Sequence, residues 1–159
     1  MLELYHNGAS TCSQKVRMVL AEKALDFVSP PIDLIKGEQH DPAYVKLNPN
    51  HVVPTLVHDG AVLIESTLIN EYLDDVFPDV PLRPADAVGR HAARLWLKRF
   101  DDSAQGAIGV VTFAVGPRRL LLAQPEEIRE ANLAAIPDPA GRAQRRSVIT
   151  HGVDAPEFA

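Results

Sequence analysis

The sequence has almost no cysteine: of its 159 residues, only Cys12 carries a thiol. A single cysteine cannot form a disulfide within the chain, so we expect the fold to depend on its apolar core. The sequence also lacks a run of about 18 or more apolar residues, which excludes a membrane-spanning helix. A secretory signal peptide begins with basic residues followed by a long apolar stretch, and the sequence from residue 1 does not show this pattern. The sequence therefore predicts a cytoplasmic protein with no membrane partner.

An excess of basic charge is missing too. The chain has 16 Lys and Arg against 21 Asp and Glu, a net charge of −5. Residues 1–80 contain five basic and twelve acidic residues, and residues 81–159 contain eleven and nine. The basic residues of the second part are not interleaved with aromatic ones, so nucleic acid is not an expected partner. The difference in charge divides the chain into two regions.

The start of the chain predicts a strand, a helix and an edge strand. Residues 2–5 alternate apolar and polar side chains, which is typical of a short strand. Apolar residues then recur at helical spacing after Ser13, which we interpret as the N-cap. Residues 27–34 have strand-forming side chains, but Pro30-Pro31 cannot join a central ladder, so this strand is expected at the sheet edge.

A hairpin and a second helix follow. Residues 51–58 predict a strand that contains a proline, and Asp59-Gly60 is a strong two-residue turn signal before a strand at residues 61–64. Ser66 is the predicted N-cap of a helix that ends before Pro78. The predicted order of residues 1–80 is therefore βαβ-ββα.

The second region is predicted to be helical. Residues 77–84 contain three prolines and indicate a linker. Helices are expected over residues 85–102 and 105–122, and the tail from about residue 137 is expected to be poorly ordered. The candidate inner face of the first of these helices consists of Ala92, Leu95, Trp96 and Phe100. The predicted domains are residues 1–80 and 85–159.

The string NPNHVVPTL at residues 48–56 is the most informative part of the sequence. A cis Val53-Pro54 bond would turn the chain sharply and present the main-chain N–H and C=O of Val53 to an extended peptide. A few residues later, the helix start at Ser66 attracts a carboxylate, and Glu65 offers a negative group to an amine. The pattern predicts recognition of the carboxylate and amine of an amino acid.

With these residues in this order, the chain resembles the glutathione transferase superfamily, and residues 47–73 fit its glutathione-site pattern. The resemblance implies that Pro54 is the family's cis-proline and that Val53 pairs with the cysteinyl backbone of glutathione. It also implies that Glu65 and Ser66 bind the γ-glutamyl group. The implied fold is α/β, with a thioredoxin-like βαβ-ββα N-terminal domain followed by an incomplete all-α C-terminal domain.

The resemblance extends to further ligands and partners. Gln39 and His51 lie where the family contacts the glycyl end of glutathione. Glutathione is the implied cosubstrate, its thiolate attacking a small hydrophobic electrophile held against the helical domain. Conjugation, isomerisation and ether cleavage all remain open. Members are usually homodimers, and we expect the same of an intact form.

Residues 10–17, at the start of the first predicted helix, are the second candidate for chemistry. A free thiol is only about 3% ionised at pH 7, and a hydroxyl donor together with helix N–H groups can stabilise the thiolate. The octet resembles the SSCSxRVR string of zeta-class transferases, which implies that Ser10 is the catalytic hydroxyl. Two other residues remain candidates for the catalytic position. Beta-class enzymes have a cysteine where Cys12 stands, and bacterial β-etherase-like relatives retain a serine at the position of Ser13.

Other chemistries find less support. A Cys-x-x-Cys dithiol would need a cysteine at position 9 or 15, and these are Ala9 and Lys15. No metal site is predicted, because five of the histidines show no metal-ligand spacing with each other or with Cys12. These are His6, His40, His58, His91 and His151.

The resemblance ends after residue 122, before the rest of the family's helical domain. We therefore expect a fragment or a truncated product that exposes the apolar face of residues 92–122. Two alternatives to a transferase remain: a non-catalytic transferase-like module for binding or dimerisation, and monothiol redox chemistry at Cys12.

Overall fold

The structure is a computed structural model that describes residues 1–109, 125–128 and 130. Residues 1–34 and 38–97 form one compact unit, and the described residues 35–37, 98–109, 125–128 and 130 belong to a second. All of the predicted site residues lie in the first unit. The predicted helix beyond residue 109 and the predicted tail from residue 137 lie outside the described residues, and the two-domain division stays a prediction.

The first unit is built on a sheet in the order β1-β2-β3, with both neighbouring pairs antiparallel. Helices α1 and α3 contribute to the core beside this sheet, and a 3-10 turn and the short α2 lie between α1 and β2. The elements are β1 Leu2–Tyr5, α1 Thr11–Glu22, the 3-10 turn Glu38–His40, α2 Pro42–Val45, β2 Thr55–His58, β3 Ala61–Ile64 and α3 Ser66–Val76.

The main core joins the sheet to α1 and α3. Its buried members are apolar residues of β1, α1, β2 and α3, and each such side chain contributes roughly 1.5–3 kcal/mol when fully removed from water. They are Leu2, Leu4, Val16, Leu20, Leu56, Ile69 and Leu73. Side chains alternate along a strand, so Tyr5 packs on the other side of the sheet, against a second cluster of Ile32, Tyr44 and Val53.

The predicted edge strand at residues 27–34 is reduced to two isolated parallel bridges beside β1. Glu3 pairs with Val28 and His6 pairs with Pro31. The N–H of Leu4 donates to the carbonyl of Val28 at 2.8 Å, but a proline has no N–H with which to continue such a ladder. The edge position agrees with the prediction, and Pro30-Pro31 explains why no regular strand forms.

Both predicted N-caps were wrong, that of α1 by three residues and that of α3 by one. Helix α1 begins at Thr11, and Ser10 is its N-cap: the N–H of Ser13 donates to Oγ of Ser10 at 3.3 Å. Helix α3 begins at Ser66 itself, with Glu65 as the N-cap residue. Strand β2 starts only after Pro54, whereas the hairpin turn at Asp59-Gly60 is confirmed.

Helix α4, Ala87–Arg99, is followed by a π-helical segment, Phe100–Ala104, and by helical residues 105–109. None of the residues of α4 is buried. The predicted inner face is therefore wrong as a core element: Leu95 is 42% exposed and Trp96 is 70% exposed. The expectation that this face would be exposed is confirmed for these two residues.

Candidate functional site

The loop before β2 carries the cis Val53-Pro54 bond that the family resemblance implies. Three polar side chains behind the loop hold it in place. The hydroxyl of Tyr44 donates to the carbonyl of Val52 at 2.6 Å, and Nδ2 of Asn48 donates to the same carbonyl at 2.9 Å and to Oγ1 of Thr55 at 3.0 Å. Asn48 and Thr55 are 1% and 0% exposed, so this network is rigidly enclosed.

Sequence reasoning missed this network. Asn48 and Thr55 belong to the predicted site segment, residues 48–56. Their spacing does not show that Tyr44 of α2 completes the hydrogen-bond network. Burial raises the pKa of Tyr44, against the opposing effect of hydrogen bonds with Thr55 and Asn48, so the phenol stays protonated and can donate.

The main chain of Val53 is left open by this arrangement. In the described part of the chain, neither its N–H nor its C=O bonds to another backbone group, although the residue is only 8% exposed. Buried main-chain groups in proteins are almost always paired. Val53 therefore offers one donor and one acceptor that suit an extended peptide as an added strand.

Helix α3 begins directly after β3, and its N-cap residue makes no side-chain hydrogen bond to the helix. Glu65 makes no side-chain capping bond, and the first helical hydrogen bond runs from the N–H of Ile69 to the carbonyl of Glu65 at 2.9 Å. The N–H groups of Ser66, Thr67 and Leu68 come before that first helical bond. They form the positive end of the helix dipole. Such an end is suited to a carboxylate.

Glu65 has a strained backbone, with φ 68° and ψ 106°. A non-glycine residue at positive φ is uncommon, and such residues cluster at functional sites. Its side chain is exposed, whereas Ser66 is 7% exposed. The strain is a local signal of function that the sequence did not reveal.

The three candidate nucleophile or hydroxyl positions at the start of α1 differ in exposure. Ser13 is 0% exposed, and its Oγ accepts from the N–H of Asn7 at 3.4 Å. Ser10 and Cys12 are half-buried. Nζ of Lys15 donates to Oγ1 of Thr67 at 3.4 Å, which links the N-terminal half of α1 to the first turn of α3.

Gln39 and His51, the two residues expected near the glycyl end, are joined through a residue that the sequence did not single out for function. Nε2 of Gln39 lies 3.1 Å from Nε2 of His40, and Nδ1 of His40 lies 3.0 Å from Nδ1 of His51. Gln39 is 2% exposed, and the two imidazoles are half-buried. The structure thus brings the two predicted residues into one hydrogen-bonded row.

Two kinds of feature are absent from the described residues: a cluster of metal ligands and a helix that could span a membrane. Among residues 1–109, 125–128 and 130, no group of three or more His, Cys, Asp or Glu side chains is placed to hold a metal ion. Over the same residues, no helix has both the length and the apolar character needed to cross a bilayer.

Comparison with known proteins supports the family. Residues 9–76 match the model of the glutathione S-transferase N-terminal domain. The chain is 38% identical over 134 residues to Protein LigF of Sphingobium sp. (strain NBRC 103272 / SYK-6), an alignment covering 83% of this chain and 52% of LigF. It is 42% identical over 85 residues to the zeta-class glutathione S-transferase of Euphorbia esula, covering 54% of this chain and 38% of that protein.

A solved structure agrees. The crystal structure of the β-etherase LigF from Sphingobium sp. strain SYK-6 superimposes with a TM-score of 0.79 at 36% identity, covering 92% of this chain and 61% of that one. The fold defines a thioredoxin-like α/β domain with associated helices. Residues 9–76 therefore match the N-terminal domain of the glutathione S-transferases, and the chain is similar to zeta-class and LigF-type members, although it spans only about half the length of LigF.

Proposed function

We propose that this protein is a glutathione-dependent transferase of the cytoplasm, which binds glutathione and activates its thiol. The observation that carries the proposal is the open main-chain pair of Val53 together with an N-terminus of α3 that Glu65 does not cap with its side chain. A peptide needs the first to pair its backbone, and an amino-acid carboxylate needs the second. Glutathione offers both.

Each part of the tripeptide has a place in this proposal. The γ-glutamyl carboxylate accepts from the N–H groups at the start of α3 and from the hydroxyl of Ser66, and the exposed carboxylate of Glu65 pairs with the γ-glutamyl amine. The main chain of the cysteinyl residue pairs with the N–H and C=O of Val53. The bend at Pro54 helps to present these two groups to the ligand. Gln39 and His51 lie at the glycyl end.

Ser10 is the favoured hydroxyl for stabilising the thiolate. Its oxygen accepts from the N–H of Ser13, which leaves its own O–H proton to donate to sulfur. Ser13 is fully buried, so its hydroxyl has no access to a ligand. A donor to the thiolate lowers the pKa of the thiol and raises the nucleophilic fraction at neutral pH.

The thiolate then attacks a small apolar electrophile. Of the three reactions left open by the sequence, similarity to a β-etherase favours ether cleavage. In that reaction the sulfur of glutathione forms a bond to the carbon that bears the ether oxygen, the C–O bond breaks, and the oxygen leaves with the bonding electrons and takes a proton from water. Conjugation uses the same attack on a different electrophile.

Glutathione-affinity capture and calorimetry on the whole chain test the binding claim. We expect the wild type to be retained and Ser66→Ala to be lost. Ser29→Ala is the matched control, because Ser29 is exposed and its hydroxyl lies against His6. A wild type that neither binds the column nor releases heat with glutathione would favour the non-catalytic module instead.

Monothiol redox chemistry at Cys12 is the second candidate, favoured by the partial exposure of this thiol in the first turn of α1. The Cys12 thiolate would attack oxidised glutathione, forming a protein–glutathione disulfide and releasing one glutathione thiolate. Mass spectrometry after treatment with oxidised glutathione tests it. One added glutathione that is absent from Cys12→Ser supports this chemistry, and an unmodified wild type removes it.

We also propose that the protein is a homodimer, as the family resemblance implies. Light scattering should then give twice the chain mass. A mass equal to one chain contradicts this part of the proposal without affecting the glutathione site.

A further inference from the structure

Two imidazole rings lie beside the loop that carries Val53. Nδ1 of His40 is 3.0 Å from Nδ1 of His51, with ring centroids 5.1 Å apart and planes inclined by 39°. A hydrogen bond between two neutral rings requires a proton on one nitrogen and a lone pair on the other. The contact therefore assigns opposite protonation to the two Nδ1 atoms.

Gln39 sets the direction of this bond. Its Nε2 lies 3.1 Å from Nε2 of His40, and an amide NH₂ can only donate. Nε2 of His40 is then the acceptor, so the proton of His40 is on Nδ1. His40 donates it to Nδ1 of His51, whose own proton is consequently on Nε2.

The two ends of this row are held firmly. Gln39 is 2% exposed, so its amide is enclosed by protein atoms. His51 has φ 55°, a left-handed conformation that is uncommon for a residue with a Cβ. A backbone held in that region is typical of binding sites, and His51 is only two residues from Val53.

We propose that His40 is a positioning residue: together with Gln39 it holds His51 in the Nε2–H tautomer, so that His51 donates a hydrogen bond to the glycyl carboxylate of glutathione. The inference rests on the proposed function and deepens it. A carboxylate only accepts hydrogen bonds when ionised, and the opposite tautomer of His51 would direct a lone pair toward it. Without His40, both tautomers of His51 become accessible.

A matched pair of substitutions separates this role from a purely structural one. The amide nitrogen of asparagine can occupy nearly the position of Nδ1 in histidine, whereas that of glutamine reaches nearer to Nε2. His40→Asn therefore keeps a donor toward His51, and His40→Gln removes it. His91→Gln controls for the loss of a histidine, because His91 is exposed on α4. Thermal melts confirm that each variant folds.

The first readout is the tautomeric state of the rings in the ligand-free protein, measured by long-range proton–nitrogen NMR at a pH where both imidazoles are neutral. We expect the Nδ1–H form for His40 and the Nε2–H form for His51. His51 should become a mixture of tautomers in His40→Gln and stay in the Nε2–H form in His40→Asn. A purely structural role would not move this signal.

The second readout is calorimetry with glutathione and with its glycyl ethyl ester, which lacks the carboxylate charge. His40→Gln should weaken glutathione binding by about threefold to tenfold, as expected for one oriented hydrogen bond, and should weaken binding of the ester by a smaller factor, because its carbonyl oxygen is an uncharged acceptor. His40→Asn and His91→Gln should bind glutathione within about twofold of the wild type.

Three results would overturn the inference. The first is an Nδ1–H tautomer of His51 in the wild type, and the second is an unchanged affinity of His40→Gln for glutathione. The third is equal weakening for glutathione and its ester. If the wild type fails to bind glutathione at all, the proposed function falls together with the carboxylate ligand, while the NMR measurement still decides whether His40 fixes the tautomer.

Discussion

Nζ of Lys23 lies 2.6 Å from Oδ1 of Asp74, and the two side chains are 1% and 7% exposed. Lys23 also donates to the carbonyls of Phe77 at 3.0 Å and Val80 at 2.6 Å. This ion pair joins the C-terminal end of α1 to α3 and to the segment that follows it. Because both charges are removed from water, each depends on the other.

Loss of one charge of this pair should be costly. We expect Asp74→Asn to lower the free energy of unfolding by about 3 kcal/mol, because it leaves the buried ammonium of Lys23 without its counter-charge. Asp75→Asn is the control: Asp75 is 67% exposed and pairs with Arg83 at the surface, so its loss should cost less than about 1 kcal/mol. Urea denaturation measures both, and similar values for the two would contradict the assigned role.

The same carboxylate should make stability depend on pH. Burial raises the pKa of Asp74, but hydrogen bonds from Lys23, Arg83 and the N–H of Leu82 outweigh it, and the pKa falls to about 2 from an ordinary 3.8. The folded pKa is thus below the unfolded one, so this stabilisation is complete above about pH 4 and is lost as the pH falls toward 2. Acid titrations of unfolding should show this decline in the wild type and a smaller one in Asp74→Asn, and equal declines would rule it out.

Substitutions of Glu65 should separate strain from ligand binding. With φ 68°, the backbone favours glycine, so Glu65→Gly should be more stable than Glu65→Ala by roughly 1 kcal/mol. Both variants remove the carboxylate, so both should lose glutathione affinity to the same extent. Denaturation and calorimetry on the pair provide the comparison. If glycine gives no advantage in stability, or if alanine still binds as the wild type does, the role given to Glu65 is wrong.

Ser10 combines a capping role with a proposed catalytic one, and two variants divide them. Ser10→Ala should cost about 1 kcal/mol of stability through loss of the N-cap, and Ser10→Gly only a few tenths. Both should raise the pKa of bound glutathione thiol equally, because neither donates to sulfur. The thiolate's ultraviolet absorbance follows that pKa. A pKa that tracks the stability loss would point to the cap alone.

The sequence was sufficient for the parts of the fold that depend on local signals. Alternation over residues 2–5 gave β1 with its bounds, and Asp59-Gly60 gave the hairpin, because a two-residue turn with both residues at positive φ has a strong preference for such pairs. The Val53-Pro54 bond could be predicted only through the resemblance, since most bonds before proline are trans.

The remainder depends on tertiary contacts. Ser13 looks like an N-cap by residue type, but the chain enters α1 three residues earlier, and Ser13 is buried instead. Trp96 has core-like spacing, yet spacing does not show whether a neighbouring element covers it. The row Gln39–His40–His51 joins residues eleven apart through a 3-10 turn and a left-handed residue, and neither feature can be predicted from residue type.

The central claim is that Val53 pairs its main chain with the cysteinyl residue of glutathione while the start of α3 binds the γ-glutamyl carboxylate. A crystal structure of this chain grown with glutathione tests it most directly. We expect two hydrogen bonds from the N–H and C=O of Val53 to the cysteinyl main chain, with the γ-glutamyl carboxylate on the N–H groups that begin at Ser66. Glutathione bound elsewhere, or with its γ-glutamyl end away from α3, would contradict it.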